Sequence, residues 1–328
     1  MMTKARGRAR LVFLLLFAML AACGGDGGTR VLKLAHGLDV NHPVHLAMMH
    51  MADRVAELSD GAIRVEIHPN GQLGDERELI EMLQIGSLAM TKVSASPLES
   101  FVPEMAVFGV PYLFRDDEHL WKVLDGPIGR RLLLAGRRYY LRGLCYYDAG
   151  ARSFYTRDTP IRRPEDLRGL KIRVQKSLTA TRMVQALGGA ATPIDWGELY
   201  SALQQGVVDG AENNPPSFFL SRHYEASRFY SLDEHTRVPD VLLISTRVWD
   251  DLSSQERDWL SSAVESSVVE ERRLWSEASN NAMAQVRAAG IEIIEPDKML
   301  FREAVRPMHD SYRGTPLFDL IRAIEETR

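Results

Sequence analysis

The chain has 328 residues, 45% of them hydrophobic, with 40 basic against 44 acidic residues and a formal net charge of −4. This is enough apolar material for more than one packed core, and the interspersed, slightly acidic charge excludes an extended nucleic-acid surface. Only two cysteines are present, which excludes a disulfide-scaffolded fold.

Lys4, Arg6, Arg8 and Arg10 precede an apolar run from Leu11 to Ala22. That run is short for a bilayer span, which takes about 20 residues, but suits a signal-peptide core. Leu20-Ala21-Ala22-Cys23 has the form of a bacterial lipobox. The pattern predicts residues 1–22 as a lipoprotein signal peptide, and residues 23–30 as a lipidated N-terminus at Cys23 with a flexible tether. An ordinary signal peptide with an incidental cysteine is the plainer alternative. Cys145 then has no partner. No other segment is apolar enough to cross a membrane.

Val31 to Ala35 reads as a first strand, with His36 at its carboxyl end. Asp39, His42, His45 and His50 cluster in sequence, but no cysteine pair or HExxH accompanies them, so no metal site is expected. A helix is expected from His45 to Leu58 with Leu46, Met49, Val55 and Leu58 inward, then a strand from Ile63 to His68. Pro69-Asn70-Gly71 is a turn, and Gly74-Asp75-Glu76 opens a helix containing Leu79, Ile80, Leu83 and Ile85. Acidic residues there suit the positive end of the helix dipole. Further strands are expected at Met90–Ser96, Met105–Tyr112 and Leu141–Tyr147, with a helix over Asp117–Leu134 and a crossing to a second lobe near Gly150.

In Leu170-Lys171-Ile172-Arg173-Val174 the apolar residues alternate with Lys171 and Arg173, which suits a strand packed on one face. Ser177 is a candidate N-cap for a helix closed by Gly188-Gly189. Asp195-Trp196-Gly197-Glu198 resembles a capping box for a second helix, and Val207-Val208-Asp209 reads as a short strand. Connections of this length favour parallel sheet, whose ligands sit beyond the strands' carboxyl ends. Arg173 and Asn213 would meet there. From the capping box Ser253-Ser254-Gln255-Glu256 to Gly290, apolar residues keep helical spacing, giving a helix roughly 50 Å long. Ile291–Ile294 can return as a strand, and Phe301–Ile324 reads as a terminal helix.

Gly169 to Val174, together with Glu198-Leu199-Tyr200-Ser201-Ala202-Leu203-Gln204-Gln205-Gly206-Val207-Val208-Asp209-Gly210-Ala211-Glu212-Asn213, resembles the signature of the DctP family. These are the extracytoplasmic solute-binding proteins of tripartite ATP-independent periplasmic (TRAP) transporters. Pro69 to Arg77, Val110 to Phe114 and Arg163 to Leu167 resemble family segments in the same order. The resemblance implies an α/β, two-lobed periplasmic binding protein fold with a ligand cleft between the lobes and a long helix spanning both. Lobe I would hold residues 31–149 with 239–277, and lobe II residues 150–238 with 278–328. It also implies a bacterial periplasmic location, a small and a large membrane subunit as partners, and a small organic acid as ligand.

Arg173 matches the family's carboxylate-binding arginine, and its planar fork suits two parallel hydrogen bonds to an acid. Arg152 matches a second arginine, at a spacing one residue longer than the family's. Asn213 can donate and accept beside the carboxylate. Glu76 matches an acidic position facing ligand hydroxyls, Ser94 a pocket position, and His36 a polar position near the ligand. Trp196 can cover an apolar face of the ligand or serve as core. The stretch from Asn213 to Phe219, with Arg222 to Glu225 and Asp233-Glu234-His235-Thr236, resembles a branch associated with uronates and aldonates, which adds His235 to the site. C4-dicarboxylates, keto acids and sialic acid stay open, as does presentation of ligand to a sensor. An enzyme acting on sugar acids would need paired catalytic groups, but no GxSxG, zinc motif or Cys-His signature is present. No cofactor is implied.

Overall fold

The computed structural model describes residues 28–328; the predicted signal peptide, Cys23 and most of the tether lie outside the described residues. Strand β1 (Arg30–Ala35) pairs in parallel with β2 (Ile63–His68) and β3 (Met90–Ser94), through crossover helices α1 (Pro43–Leu58) and α2 (Glu76–Ile85). After the short α3 (Ala95–Leu98), α4 (Asp117–Leu124) and α5 (Pro127–Ala135), the chain runs back as β4 (Leu141–Tyr147).

A second sheet begins at β5 (Ala151–Thr156). It continues with β6 (Lys171–Val174), α6 (Leu178–Ala186), β7 (Ala190–Pro193), α7 (Leu199–Gln204), β8 (Gly210–Asn213), α8 (Pro215–Leu220) and β9 (Phe229–Arg237). The chain then returns to the first sheet as β10 (Asp240–Ser245), antiparallel to both β3 and β4. The sheet orders are β2-β1-β3-β10-β4 and β11-β9-β5-β8-β6-β7, where β11 is Glu292–Ile294. The carboxyl ends of β1 and β3 in one sheet face those of β6 and β8 in the other, across a cleft.

After the short α9 (Thr246–Asp251), helix α10 (Ser254–Ala288) links the two halves. It packs along α1 and β4 on one side and α8 on the other. Leu260, Ala263, Val264 and Trp275 enter the first core, and Val286 enters the second. Its buried polar residues tie it to the crossing after β4. Ser267 Oγ shares a 2.8 Å hydrogen bond with Tyr147 Oη, and Glu271 Oε2 accepts from the Asp148 N–H at 2.9 Å. Burial lifts the Glu271 carboxyl to about 9, so it is a neutral acid at pH 7. Gly150 has φ +56°, and a Cβ there would lie 3.2 Å from the Trp275 ring, so glycine is needed where the chain changes sheets.

Several sequence-based expectations are corrected by packing. Leu46 and Met49 are 42% and 41% exposed, because α1 buries Val44, Ala47, Met48, Met51 and Val55 instead; both faces carry apolar residues there, so composition does not select one. The expected strand over Met105–Tyr112 is a 3-10 turn at Pro103–Gly109, opened by a proline, with Met105, Val107, Phe108 and Gly109 buried in the core. The expected helix over 117–134 breaks at Gly126-Pro127. The strand expected at Val207–Asp209 lies at Gly210–Asn213, with the Asp209 carboxylate accepting from Lys171 N–H at 2.7 Å. Asp195 makes no cap, because Lys176 takes its carboxylate at 2.6 Å.

The terminal helix is three: α11 (Lys298–Ala304), α12 (Arg306–Ser311) and α13 (Pro316–Glu325), separated by prolines and Gly314. Helix α13 does not stay with the second half, as expected for residues up to 328. It packs on Pro103–Gly109, where His119 Nε2 donates to Ile324 O at 3.0 Å and Arg115 Nη2 to Thr327 O at 2.8 Å.

Helix α10 is held at its start by a complete capping box, Ser253 Oγ accepting from Glu256 N–H at 3.2 Å and Glu256 Oε2 from Ser253 N–H at 2.7 Å. Ser253→Ala is expected to lower unfolding stability by about 1 kcal/mol, measured as a shift of the urea midpoint at unchanged slope.

Candidate ligand-binding cleft

The cleft has about 510 Å³ of open space including its mouth. The first sheet supplies Ser94 at the end of β3 and Asp240, its partner in register, at the start of β10. Glu76 comes from the first turn of α2, which Asp75 and Glu78 fix with a capping box. The second sheet supplies Arg152 near the start of β5 and Asn213 at the end of β8. Gln175, following β6, and Trp196 close the same side.

Arg152 is buried and almost fully committed to protein partners. Its Nε and Nη2 form a two-pronged ion pair with the Glu212 carboxylate, Nη2 also donates to Glu212 O at 2.8 Å, and Nη1 donates to Asn213 Oδ1 at 2.9 Å. With five N–H groups on a guanidinium, one Nη1 hydrogen is left for a ligand. Burial alone would raise the Glu212 pKa, but Arg152 and His235 outweigh it and hold the carboxyl at about 2. Behind this pair, His235 lies between Asp233 Oδ2 at 2.8 Å and Glu212 Oε2 at 3.4 Å. Burial favours the neutral ring, yet the two carboxylates lift His235 to about 9. His235 is therefore a buttress for Glu212 and does not line the cleft.

Arg173 differs. Only 2% exposed, it donates from Nε to Ile194 O at 2.8 Å, but Nη1 is buried with no partner and the side chain makes no ion pair among the described residues. Burial lowers its pKa, the expected direction for an uncompensated cation. Its guanidinium carbon sits 5.9 Å from the centre of the Trp196 ring, which lines the cleft. Strand β6 is covered on both faces beyond Lys171, so Arg173 is enclosed where the alternating pattern suggested an open face.

His36 is also fully buried and turned away. Its Nδ1 accepts from Leu38 N–H at 3.1 Å and its Nε2 lies 3.0 Å from His45 Nδ1, so the proton sits on Nε2. Burial drives its pKa down to about 2. Its neighbours Gly37 and Leu38 line the cleft in its place. His42 caps α1, with Nδ1 accepting from Val44 N–H at 3.3 Å, and does line the cleft. Among the described residues no group of three or more His, Cys, Asp or Glu is arranged to hold a metal.

Sequence reasoning missed Lys92, Asp240, Gln175 and Trp275, all at the cleft. A lysine inside Met90-Thr91-Lys92-Val93 and an aspartate opening Asp240-Val241-Leu242-Leu243-Ile244 were the available signals, since charges in buried strands need a partner. They pair with each other, Lys92 Nζ to Asp240 Oδ2 at 3.1 Å.

The two halves are shut in this structure. Ser94 Oγ donates to Gln175 Oε1 at 3.3 Å, His42 Nε2 lies 3.4 Å from Ser217 Oγ, and Lys176 Nζ reaches Asp75 at 3.5 Å as well as Asp195.

Residues 34–315 match the DctP description, bacterial extracellular solute-binding protein, family 7. The chain belongs to the DctP family. It is 38% identical over 328 residues to the Salmonella typhimurium protein YiiZ, covering 99% of each. Among solved structures, a TRAP periplasmic solute-binding protein of a Bradyrhizobium species in complex with α/β-D-galacturonate is 41% identical, with TM-score 0.88 over 91% of this chain and 100% of that one. One from Pseudomonas putida with bound D-glucuronate is 35% identical, with the same TM-score over 91% and 97%. This DctP-family protein is thus a two-lobed transporter solute-binding protein, not an enzyme.

The buried ionisable groups set a pH optimum of stability. His36, His42 and His223 are held neutral, at about 2, 3 and 3, mainly by burial, so the unfolded chain binds more protons below about pH 6.5 and stability falls on acidification. Raised His235 contributes fully below about pH 6.5 and loses that contribution as pH rises through 9, while neutral Glu271 acts in the same direction. The melting temperature is expected to peak near about pH 6.5, and His235→Gln to flatten the alkaline limb; a wild-type melting temperature still climbing at pH 9 contradicts this account.

Proposed function

We propose that the protein captures a hydroxylated monocarboxylate, a uronate or aldonate, in the cleft and delivers it to the small and large membrane subunits of a TRAP transporter. The lobes are residues 31–149 with 239–277, and 150–238 with most of the remainder, closing by hinge bending about the crossings at Gly150 and after Arg237. Processing after residue 22 and acylation of Cys23 would hold the protein at a membrane facing the periplasm.

The observation that carries this reading is Arg173. Arg152, Lys92 and Lys176 each have a carboxylate partner, whereas Arg173 has a buried, unpartnered Nη1 and no ion pair among the described residues. One uncompensated cation in a closed, low-dielectric cleft calls for one carboxylate. A second carboxylate would be left against Glu76 and Asp240. The galacturonate and glucuronate bound by the Bradyrhizobium and Pseudomonas proteins support the same ligand class. Asn213 can orient the acid, and Trp196 can lie against C–H groups of a sugar ring.

A thermal-shift series tests this. Galacturonate or glucuronate at a thousand times its dissociation constant should stabilise by about 4 kcal/mol, a shift of several degrees, while galactose and glucose give none. Arg173→Ala is expected to weaken uronate binding by about 2 kcal/mol or more, roughly thirtyfold, and Arg173→Lys to recover only part of it. Wild-type affinity in both variants would refute the anion site.

A further inference from the structure

Strands β1, β3 and β4 share one direction, with their carboxyl ends toward the cleft and their amino ends at the opposite pole of the first sheet. Register fixes that pole: Ile244 on β10 pairs with both Met90 of β3 and Arg142 of β4. Helix α2 ends there at Ile85, the turn Gly136–Tyr139 enters β4 there, and α9 leaves β10 there. The pole is rich in arginine that no carboxylate cancels. Arg138 has Glu104 as its partner at 3.3 Å, whereas Arg131, Arg137, Arg142 and Arg247 form no ion pair among the described residues. The guanidinium carbons of Arg142 and Arg247 lie instead over the Trp249 and Tyr140 rings, 4.3 and 4.1 Å from their centres, and Arg142 Nε is buried with no partner. Burial and the Arg137 charge lower the Arg142 pKa, with Asp250 opposing them, the direction of a cation short of anions.

Apolar side chains stand among these charges. Ile85 is 73% exposed, Tyr140 46% and Leu134 40%. Leu134, Arg137, Arg138 and Tyr140 line one open cavity with Glu104 and Asp250. Tyr140 holds a left-handed backbone, φ +62°, which a tyrosine adopts only under constraint. The constraint is local: Thr246 N–H donates to the Tyr140 carbonyl at 3.0 Å, and Gln84 Nε2 donates to the Tyr139 carbonyl at 3.0 Å. The fold thus keeps a large aromatic ring at the surface beside arginines.

The chain also enters at this pole. Arg30, the first residue of β1, bonds Asp251 at 2.7 Å at the end of α9, whose first turn carries Arg247. Three strand spacings, about 14 Å, separate β1 from β4. The seven residues from Cys23 to Thr29 precede β1 and span at most about 25 Å. With Cys23 acylated, the arginine-rich pole stays within about that distance of the bilayer.

We propose that the base of the first lobe is a second membrane contact, in which Arg131, Arg137, Arg142 and Arg247 meet anionic phospholipid headgroups while Tyr140, Ile85 and Leu134 enter the headgroup region. This rests on the acylation of Cys23 in the function proposed above. The planar arginine fork matches phosphate, and a tyrosine with aliphatic neighbours suits the boundary between headgroups and chains. Each arginine at an anionic surface is worth roughly fivefold in affinity, fading beyond about 8 Å in physiological salt. The tether supplies the high local concentration that so weak a contact needs. The cleft lies at the other end of the lobe, so this contact leaves it open to arriving solute.

The test is hydroxyl-radical footprinting of the mature, acylated protein on vesicles of phosphatidylcholine alone and of equal parts phosphatidylcholine and phosphatidylglycerol. Oxidation of Tyr140, Ile85 and Leu134 is expected to slow about threefold or more on the anionic vesicles. Leu178 and Met299, 60% and 59% exposed on the second half, are expected to keep their rates. Molar salt should abolish the slowing without releasing the protein. Arg131→Glu combined with Arg137→Glu, both at exposed positions, should abolish it too while the variant still sediments with the vesicles and keeps its melting temperature. Equal rates on both vesicles in an anchored protein, or slowing that survives charge reversal and salt, overturns the lipid contact and leaves the transport reading standing. Slowing that appears only with the transporter's membrane subunits reconstituted assigns the patch to a protein partner and overturns it likewise. A mature protein that fails to sediment with neutral vesicles has no lipid anchor, and the inference falls with that part of the proposed function.

Discussion

Arg173 is the constraint around which the binding half is arranged. A guanidinium out of water with an unpaired nitrogen costs several kcal/mol unless an anion reaches it. The surrounding residues hold it in place without cancelling it: Nε is tied to the Ile194 carbonyl, and Trp196 lies beyond the guanidinium. The nearby arginine is treated in the opposite way. Glu212 neutralises Arg152, and Glu212 is in turn supported by protonated His235 and Asp233. The result is a chain of compensated charges ending at one that is not, and the proposed carboxylate site rests on that difference.

Closure follows from the same arrangement. Each sheet alone carries part of the polar lining, and the two parts approach through Ser94–Gln175, His42–Ser217 and Asp75–Lys176. These are weak or exposed contacts that a hinge can make and break. The stiff element is α10, which belongs to both cores and is fastened to the crossing by Ser267 and Glu271. Trp275 joins the two roles, since it lines the cleft and abuts Gly150 at the change of sheet.

The histidines show how far proximity in sequence is from proximity in function. Asp39, His42, His45 and His50 invite a metal reading as a string. In the fold His36 and His45 pair with each other, His42 caps a helix, and His50 bonds Ser266 on α10 at 2.8 Å. Burial keeps His36 and His42 neutral, and a neutral ring serves as a compact donor and acceptor for backbone and side chains.

Much was determined by the sequence alone, because it depends on local rules. Strands at Ile63–His68 and Leu141–Tyr147, the start of α2 at Asp75-Glu76, the capping box opening α10, the Ser177 cap and the Gly150 crossing are set by side-chain period, cap chemistry and backbone freedom within a few residues. Family membership is likewise legible, because the signature from Gly169 to Asn213 is nearly continuous in the chain. Only the tertiary structure decided which charges are cancelled. Lys92 and Asp240 are 148 residues apart, and Arg152 and Glu212 are 60 apart. It also turned His36 and His235 away from the cleft, made a 3-10 turn of the largely apolar Pro103–Gly109 segment, and sent α13 back to the first half. Local pattern cannot carry such facts, since burial and long-range pairing set the cost of each charge and override propensity wherever a segment is enclosed on all sides.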